Sequence, residues 1–171
     1  EIKNGKNQKQ VENPNGQYPI YGSGGIMGYA NDYICEPETV IIGRKGTINN
    51  PIYVENYFWN VDTAFGLQAN KKLLHPKYLY YFCVNFNFEA LNTTVTIPSL
   101  TKANLLNIDI PLPSLQEQEE IVGILSHIDA LIEDRKAQVD KLNDLVKSRF
   151  IEMFDGKYEV QTLGSVCEEL F

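Results

Sequence analysis

The chain is poor in the residues that build metal, disulfide and catalytic centres. Its 171 residues include three cysteines and two histidines. Cys35, Cys83 and Cys167 are odd in number and far apart, with no C-x-x-C pair, and His75 and His127 stand alone. This argues against a zinc site and favours a reducing, cytoplasmic compartment. No apolar run approaches the length of a membrane span. No signal peptide is visible, and the opening at Glu1 reads as a fragment or a trimmed chain. Excess positive charge is missing too. The net charge is −7, which at first argues against nucleic acid.

Recognisable chemistry is equally scarce. The P-loop pattern G-x-x-x-x-G-K-[ST] is absent, and no long helix follows the glycines as a dinucleotide fingerprint requires. Neither the N-P-P-Y or D-P-P-Y motif of adenine methylation nor the P-D…[DE]-x-K nuclease pattern occurs. Ser, His and acid are not locally organised. Asp62, beside Thr63, reads as a turn or cap before a catalytic acid. No catalytic residue, metal site or cofactor is expected.

The charge is unevenly placed. Residues 1–113 hold nine basic and nine acidic residues, whereas 114–153 hold five and nine, and 154–171 hold one and four. The first stretch is neutral and can still present a local basic face. Within it, residues 1–17 read as turn and loop and 18–21 as a short extended piece. Residues 23–29 read as a glycine-dense connection, 39–42 as a strand closed by Gly43, and 63–68 as another. Brief extended pieces are expected at 48–53 and 57–59, and Phe58, Trp59, Val61 and Phe65 as a cluster around Asp62. Pro76 opens a helix over 76–86, with Leu79, Phe82, Cys83 and Phe86 on its inner face. A short helix starts near Thr101 with Leu105 and Leu106 inward, and Ile108 and Ile110 alternate as a strand. The fold class is α+β, a strand-rich domain over 1–113.

A long helix follows over 114–153. Pro113 bars helix before it, Ser114 can cap, and Glu117 sits at the capping-box spacing. At 1.5 Å per residue it spans about 60 Å, too long for the core of a small domain. One heptad line holds Leu125, Ile132, Val139, Val146 and Met153. A second holds Ile121, Ile128 and Leu142, and Arg135 and Arg149 interrupt it. Leu131, Leu145 and Phe150 broaden the stripe. This is the pattern of a coiled coil that packs on a partner helix. The competing reading is a helix pair broken near Asp134. Residues 154–171 open on a turn and look like the start of another domain.

The segment Gly43-Arg44-Lys45-Gly46 lets backbone turn tightly while offering a planar fork of donors and a point charge. Ser23, within Gly22-Ser23-Gly24-Gly25, can bring amide donors to the same surface. Thr94, Thr96 and Lys102 lie in a polar cluster with Asn92, Thr93, Ser99 and Thr101, residue types that contact bases and phosphates. The plainer readings are a solvated β-turn at 43–46 and helix capping by Ser99 or Thr101.

Several segments together resemble one family. They are I-K-N-G-K (2–6), Y-P-I-Y-G-S-G-G-I-M-G-Y (18–29), V-I-I-G-R-K-G-T-I (40–48) and F-W-N-V-D-T-A-F (58–65). L-N-T-T-V-T-I-P-S-L-T-K-A-N-L (91–105) and I-D-I-P-L-P-S-L-Q-E-Q-E-E-I-V-G-I-L-S-H-I-D-A-L-I-E (108–133) follow. The series resembles the specificity subunit of type I restriction–modification systems. Such subunits carry two target-recognition domains, each followed by a long helix, and the two helices pack antiparallel. Each domain reads half of a split target on double-stranded DNA. The helices recruit adenine methyltransferase (modification) subunits that use S-adenosylmethionine, and restriction subunits join the complex and use ATP. The resemblance implies a recognition domain at 1–113, a spacer helix at 114–153 and the entry of a truncated second recognition domain at 154–171. A half-subunit of this kind can pair with a second copy through its helix. The expected DNA contacts are Arg44, Lys45, Ser23, Thr94, Thr96 and Lys102. The expected helix-packing residues are Ile121, Leu125, Ile128, Ile132, Val139, Leu142 and Val146. Rival readings are the specificity domain of a single-chain restriction–modification enzyme and a protein-interaction module that binds no DNA.

Overall fold

A computed structural model describes residues 1–91 and 99–167. The chain divides into two compact units, Glu1–Leu125 and Ser126–Phe171. The first is built on two sheets. Strands β1 (Ile2–Asn4), β4 (Thr39–Gly43), β5 (Ile52–Val54) and β7 (Ala64–Gln68) form an antiparallel sheet in the order β1-β7-β4-β5. Strands β2 (Tyr18–Gly22), β3 (Gly25–Ala30) and β6 (Trp59–Asn60) form a second, ordered β3-β2-β6. There β2 runs antiparallel to β3 and parallel to β6.

Strand β4 is buried along its whole length because both faces of its sheet are covered. Val40 and Ile42 face one side with their cross-strand neighbours Leu67 and Phe65. Cys83, Phe88, Leu100 and Leu105 close that cluster from helix α1 (Pro76–Asn85), a 3-10 turn at Phe88–Leu91 and helix α2 (Lys102–Leu106). Ile41 faces the other side with Cys35, Val54, Phe58 and Ala64. Ile20, Ala30, Trp59 and Val61 form a third cluster on the smaller sheet.

Helix α1 starts on Pro76, and the His75 ring accepts the Lys77 N–H as its cap. Thr101 caps α2 by accepting from the Asn104 N–H at 3.1 Å. Helix α3 (Leu115–Phe154) is continuous, with no break near Asp134. It opens on the expected capping box. The Ser114 N–H donates to Glu117 Oε2 at 2.9 Å, and the Glu117 N–H donates to Ser114 Oγ at 3.3 Å. The second unit holds the remainder of α3 and helix α4 (Leu163–Val166). Among the described residues no helix is long and apolar enough to cross a membrane.

Five local expectations change. Residues 2–4, read as loop, form β1 because β7 supplies a partner edge. The glycine-dense connection is largely strand β3, paired to β2 through a hairpin at Ser23 and Gly24. Ile108 and Ile110 join no sheet, and Leu106 faces outward, 65% exposed, while Leu105 is buried. The cluster expected around Asp62 is buried but divided among three cores, and Asp62 itself is exposed in a turn.

Candidate nucleic-acid interface

Strand β4 ends at Gly43, and the next residues are exposed. A side chain at Gly43 would run into the Thr47 carbonyl, so the tight loop after β4 requires glycine there. Gly46 sits at φ +80°, the left-handed region that glycine adopts freely. The loop is held from three directions. The Arg44 N–H donates to the Thr63 carbonyl at 2.7 Å. The Leu100 N–H donates to the Arg44 carbonyl at 2.9 Å, and Lys45 pairs with Ser99 in an isolated antiparallel bridge. The Ser23 hydroxyl donates to the Lys45 carbonyl at 3.4 Å.

Arg44, Lys45 and Ser23 therefore meet, with Ser99 beside them. The Arg44 guanidinium donates to the Asp62 carbonyl at 3.5 Å and lies 5.9 Å from the centre of the Phe65 ring. Among the described residues most of its five donors remain for other acceptors. Among the described residues neither Arg44 nor Lys45 forms an ion pair. Both cations are exposed, on a loop tied by backbone hydrogen bonds.

Lys102 is placed differently. Its ammonium donates to the Ile2 carbonyl on β1 at 2.6 Å, which among the described residues leaves two hydrogens for other partners. Ser99 belongs to the loop's bridge and Thr101 to the α2 cap, as the plainer reading held for Thr101. Thr94 and Thr96, with Asn92 and Thr93, lie outside the described residues.

Lys6 is a cation that the reading of charge clusters missed. Its N–H donates to the Asn60 carbonyl at 2.8 Å, and its carbonyl accepts the Trp59 indole N–H at 3.0 Å. That fixes its backbone beside the 60–63 turn, which also holds Arg44. The trace in the sequence is the segment I-K-N-G-K (2–6), since the contact itself joins the first residues to the middle of the domain.

No group of His, Cys, Asp or Glu among the described residues can hold a metal ion. Burial pushes the Cys35 thiol up to about 11 and the Cys83 thiol up to about 12. Neither is an activated nucleophile.

The model of the type I restriction modification DNA specificity domain matches residues 1–142. The chain belongs to this family. A putative type I restriction enzyme specificity subunit from Haemophilus influenzae is 34% identical over 124 residues, covering 68% of this chain and 31% of that protein. The type I restriction enzyme MjaVIII specificity subunit of Methanocaldococcus jannaschii is 31% identical over 117 residues, covering 67% of this chain and 25% of its own. The chain thus spans between a quarter and a third of these curated relatives. Among solved structures, the type I restriction-modification S subunit from M. genitalium superposes with a TM-score of 0.65 at 18% identity, over 91% of this chain and 44% of that one. The HsdS subunit from Thermoanaerobacter tengcongensis gives 0.64 at 19%, over 92% and 42%. At these identities the likeness is one of fold. The specificity-domain architecture, a strand-rich domain followed by a long helix, is what the sequence led us to expect.

Along α3 the apolar stripe is open. Ile121, Ile128, Ile132, Val139, Leu142 and Val146 are exposed, Val146 by 70%. Leu125 is half-buried and shares a face with buried Gln118 and Val122. Arg135 donates to Gln138 and Arg149 pairs with Glu152, so each seam arginine has a neighbour one turn on.

Proposed function

We propose that the chain is the sequence-reading part of a type I restriction–modification specificity subunit. It binds double-stranded DNA and directs adenine methylation and cleavage by partner subunits, without chemistry of its own. The observation that carries this reading is the family match over residues 1–142, which takes in both the loop after β4 and most of α3. Residues 1–113 act as the recognition domain, 114–153 as the spacer helix, and 154–171 as the entry to a second recognition domain.

The chemistry follows from the loop. Arg44 and Lys45 hold phosphates, and Ser23 and the amides of the neighbouring hairpin add short-range donors. Lys102, Thr94 and Thr96 extend the contact set. The recognition domain carries no net charge, so the cations act locally and the partner subunits supply further contact. The open stripe of α3 packs on another helix, either a modification subunit's, a second spacer helix's or that of a second copy in a dimer. Burying one Leu or Ile of such a seam stabilises the pair by about 1.5–3 kcal/mol.

The test is a mobility shift of short duplexes carrying the target read out by methylome sequencing. Retarded complexes with the chain plus modification subunits, and none with a scrambled target, support the reading. Assembly with those subunits but no duplex binding would instead favour an interaction module.

A further inference from the structure

The hairpin of β2 and β3 carries two large apolar side chains in the open: Ile26 is 56% exposed and Met27 63%. Met27 has no partner on β2. Tyr21 pairs with Ile26 and Ile20 with Gly28, so Met27 is the extra residue of a β-bulge. A bulge of this kind re-aims a side chain. The Met27 thioether crosses Gly22, where an added Cβ would lie 2.6 Å from Met27 Sδ and 3.6 Å from Val61 Cγ2. Glycine at 22 leaves that path open.

The surroundings are basic. Gly22 leads into Ser23, whose hydroxyl donates to the Lys45 carbonyl. Val61 opens the turn that holds Arg44 through the Thr63 and Asp62 carbonyls. Lys6 is tied to Asn60, the residue before Val61. These links gather Lys6, Arg44 and Lys45, all exposed, around the surface that Met27 covers. Asp62 in the turn and Glu12 beside Gly28 are neighbouring acids. Strand β6 pairs with β2 at Ile20 and Tyr21, so from Gly22 outward the hairpin is two strands wide. A Cβ at Gly24 or Gly25 would meet nothing within 4 Å among the described residues. A two-stranded ribbon fits the major groove of duplex DNA, about 12 Å wide.

Cations at the rim of such a contact hold phosphates and read no sequence. A thioether has no hydrogen to donate, so it selects an apolar feature of a base. On the base edges of the major groove that feature is the 5-methyl group of thymine. We propose that Met27 reads a thymine of the DNA half-site through this methyl group. This rests on the proposed role in DNA reading. It adds an apolar specificity residue to a contact set otherwise made of cations and hydroxyls.

The experiment uses the complete specificity subunit assembled with its modification subunits. Its natural target carries deoxyuridine in place of each half-site thymine in turn, which removes the methyl group and keeps the pairing edge. One replacement should weaken binding by the wild-type complex about threefold, the worth of one buried methyl group. Met27→Ala should bind the natural target about threefold less well, lose its response to that replacement and keep the wild-type salt dependence. Met27→Leu, still apolar, should keep the response. A Met27→Ala complex as sensitive to that replacement as the wild type overturns the proposal, even if the variant melts lower, since Met27 then only packs the hairpin. A wild-type complex indifferent to every replacement overturns it as well. An equal loss on all duplexes with the uracil response intact would make Met27 a wedge between base steps and exclude the methyl contact. Wild-type complexes that bind target and scrambled duplexes equally would overturn the DNA-reading function itself.

Discussion

Lys45 and Ser99 face one another in an antiparallel bridge, and the Leu100 N–H next to it closes on the Arg44 carbonyl. A segment remote in sequence thereby ties the basic loop. In the proposed phosphate-binding role, a loop tied in this way loses little freedom on binding, so its cations add directly to affinity. Alanine at Arg44 or Lys45 should weaken binding to matched and unrelated duplexes alike. Each should reduce the slope of log affinity against log salt by about 1. Fluorescence anisotropy across a salt series measures both. A loss confined to one base position would assign Arg44 to base readout, and unchanged binding would remove it from the contact set.

Gly43→Ala should disrupt the same loop from within. The added methyl group meets the Thr47 carbonyl and sits 3.0 Å from Ser23 Cβ, so backbone must move. The expected loss is about 3 kcal/mol in urea unfolding. A stability within error of the wild type would mean that the loop adapts cheaply.

The capping box gives a pH dependence with a definite sign. Hydrogen bonds from the Ser114 hydroxyl and amide hold the Glu117 carboxyl below its ordinary range. Its contribution to the start of α3 is present above the unfolded carboxylate range and fades as pH falls through the folded value. Ser114→Ala should remove about 1 kcal/mol of stability at neutral pH. The difference from wild type should shrink in acid. Thermal melts at several pH values check this, and a difference independent of pH would argue against the pair.

The seam of α3 is best probed at Leu142, which is 61% exposed. Leu142→Glu should abolish self-association or recruitment of modification subunits while helix content and the melting of the first unit stay unchanged. Light scattering reads the first and circular dichroism the second. Leu125→Glu is the poorer test, because Leu125 is half-buried beside Val122 and its loss would disturb the helix root as well.

Three thiols should react at two very different rates. Cys167 is exposed, whereas Cys35 and Cys83 are buried and held protonated up to about 11 and about 12. A thiol reagent at neutral pH should modify one cysteine quickly and two only after unfolding. Their raised values contribute stability fully present below pH 9, the ordinary thiol value, and lost as pH rises towards 11 and 12. Fast modification of all three sites in the native chain would contradict the packing around β4.

Local signals in the sequence carried the helices. Pro76, the Ser114–Glu117 pair and the heptads of α3 act within a few residues, so spacing alone reveals them. Strand β4 was equally legible, since Thr39 to Ile42 form an apolar β-branched run. Strands β1 and β3 were not. Strand β1 is only Ile2-Lys3-Asn4, and β3 sets Gly25 and Gly28 among Ile26, Met27, Tyr29 and Ala30; they become strands because β7 and β2 offer edges to pair with. Pairing of this kind depends on partners far along the chain, which no local window contains.

The candidate site divides in the same manner. Arg44, Lys45 and the flanking glycines announce a basic turn by composition alone. That Ser23 and Ser99 meet it, that Lys102 turns to β1, and that Lys6 joins the 60–63 turn were decided by the packing of the two sheets. Gln118 shows the limit most plainly. In L-Q-E-Q-E-E it reads as one more solvated polar residue of a helix start. Only the tertiary structure buries it, because its amide matches three backbone groups that the folded chain brings to one point. The sequence by itself determined the elements whose hydrogen bonds close locally, along with the family. The fold decided which distant polar groups satisfy each other, since a buried donor or acceptor must find a partner wherever the chain supplies one.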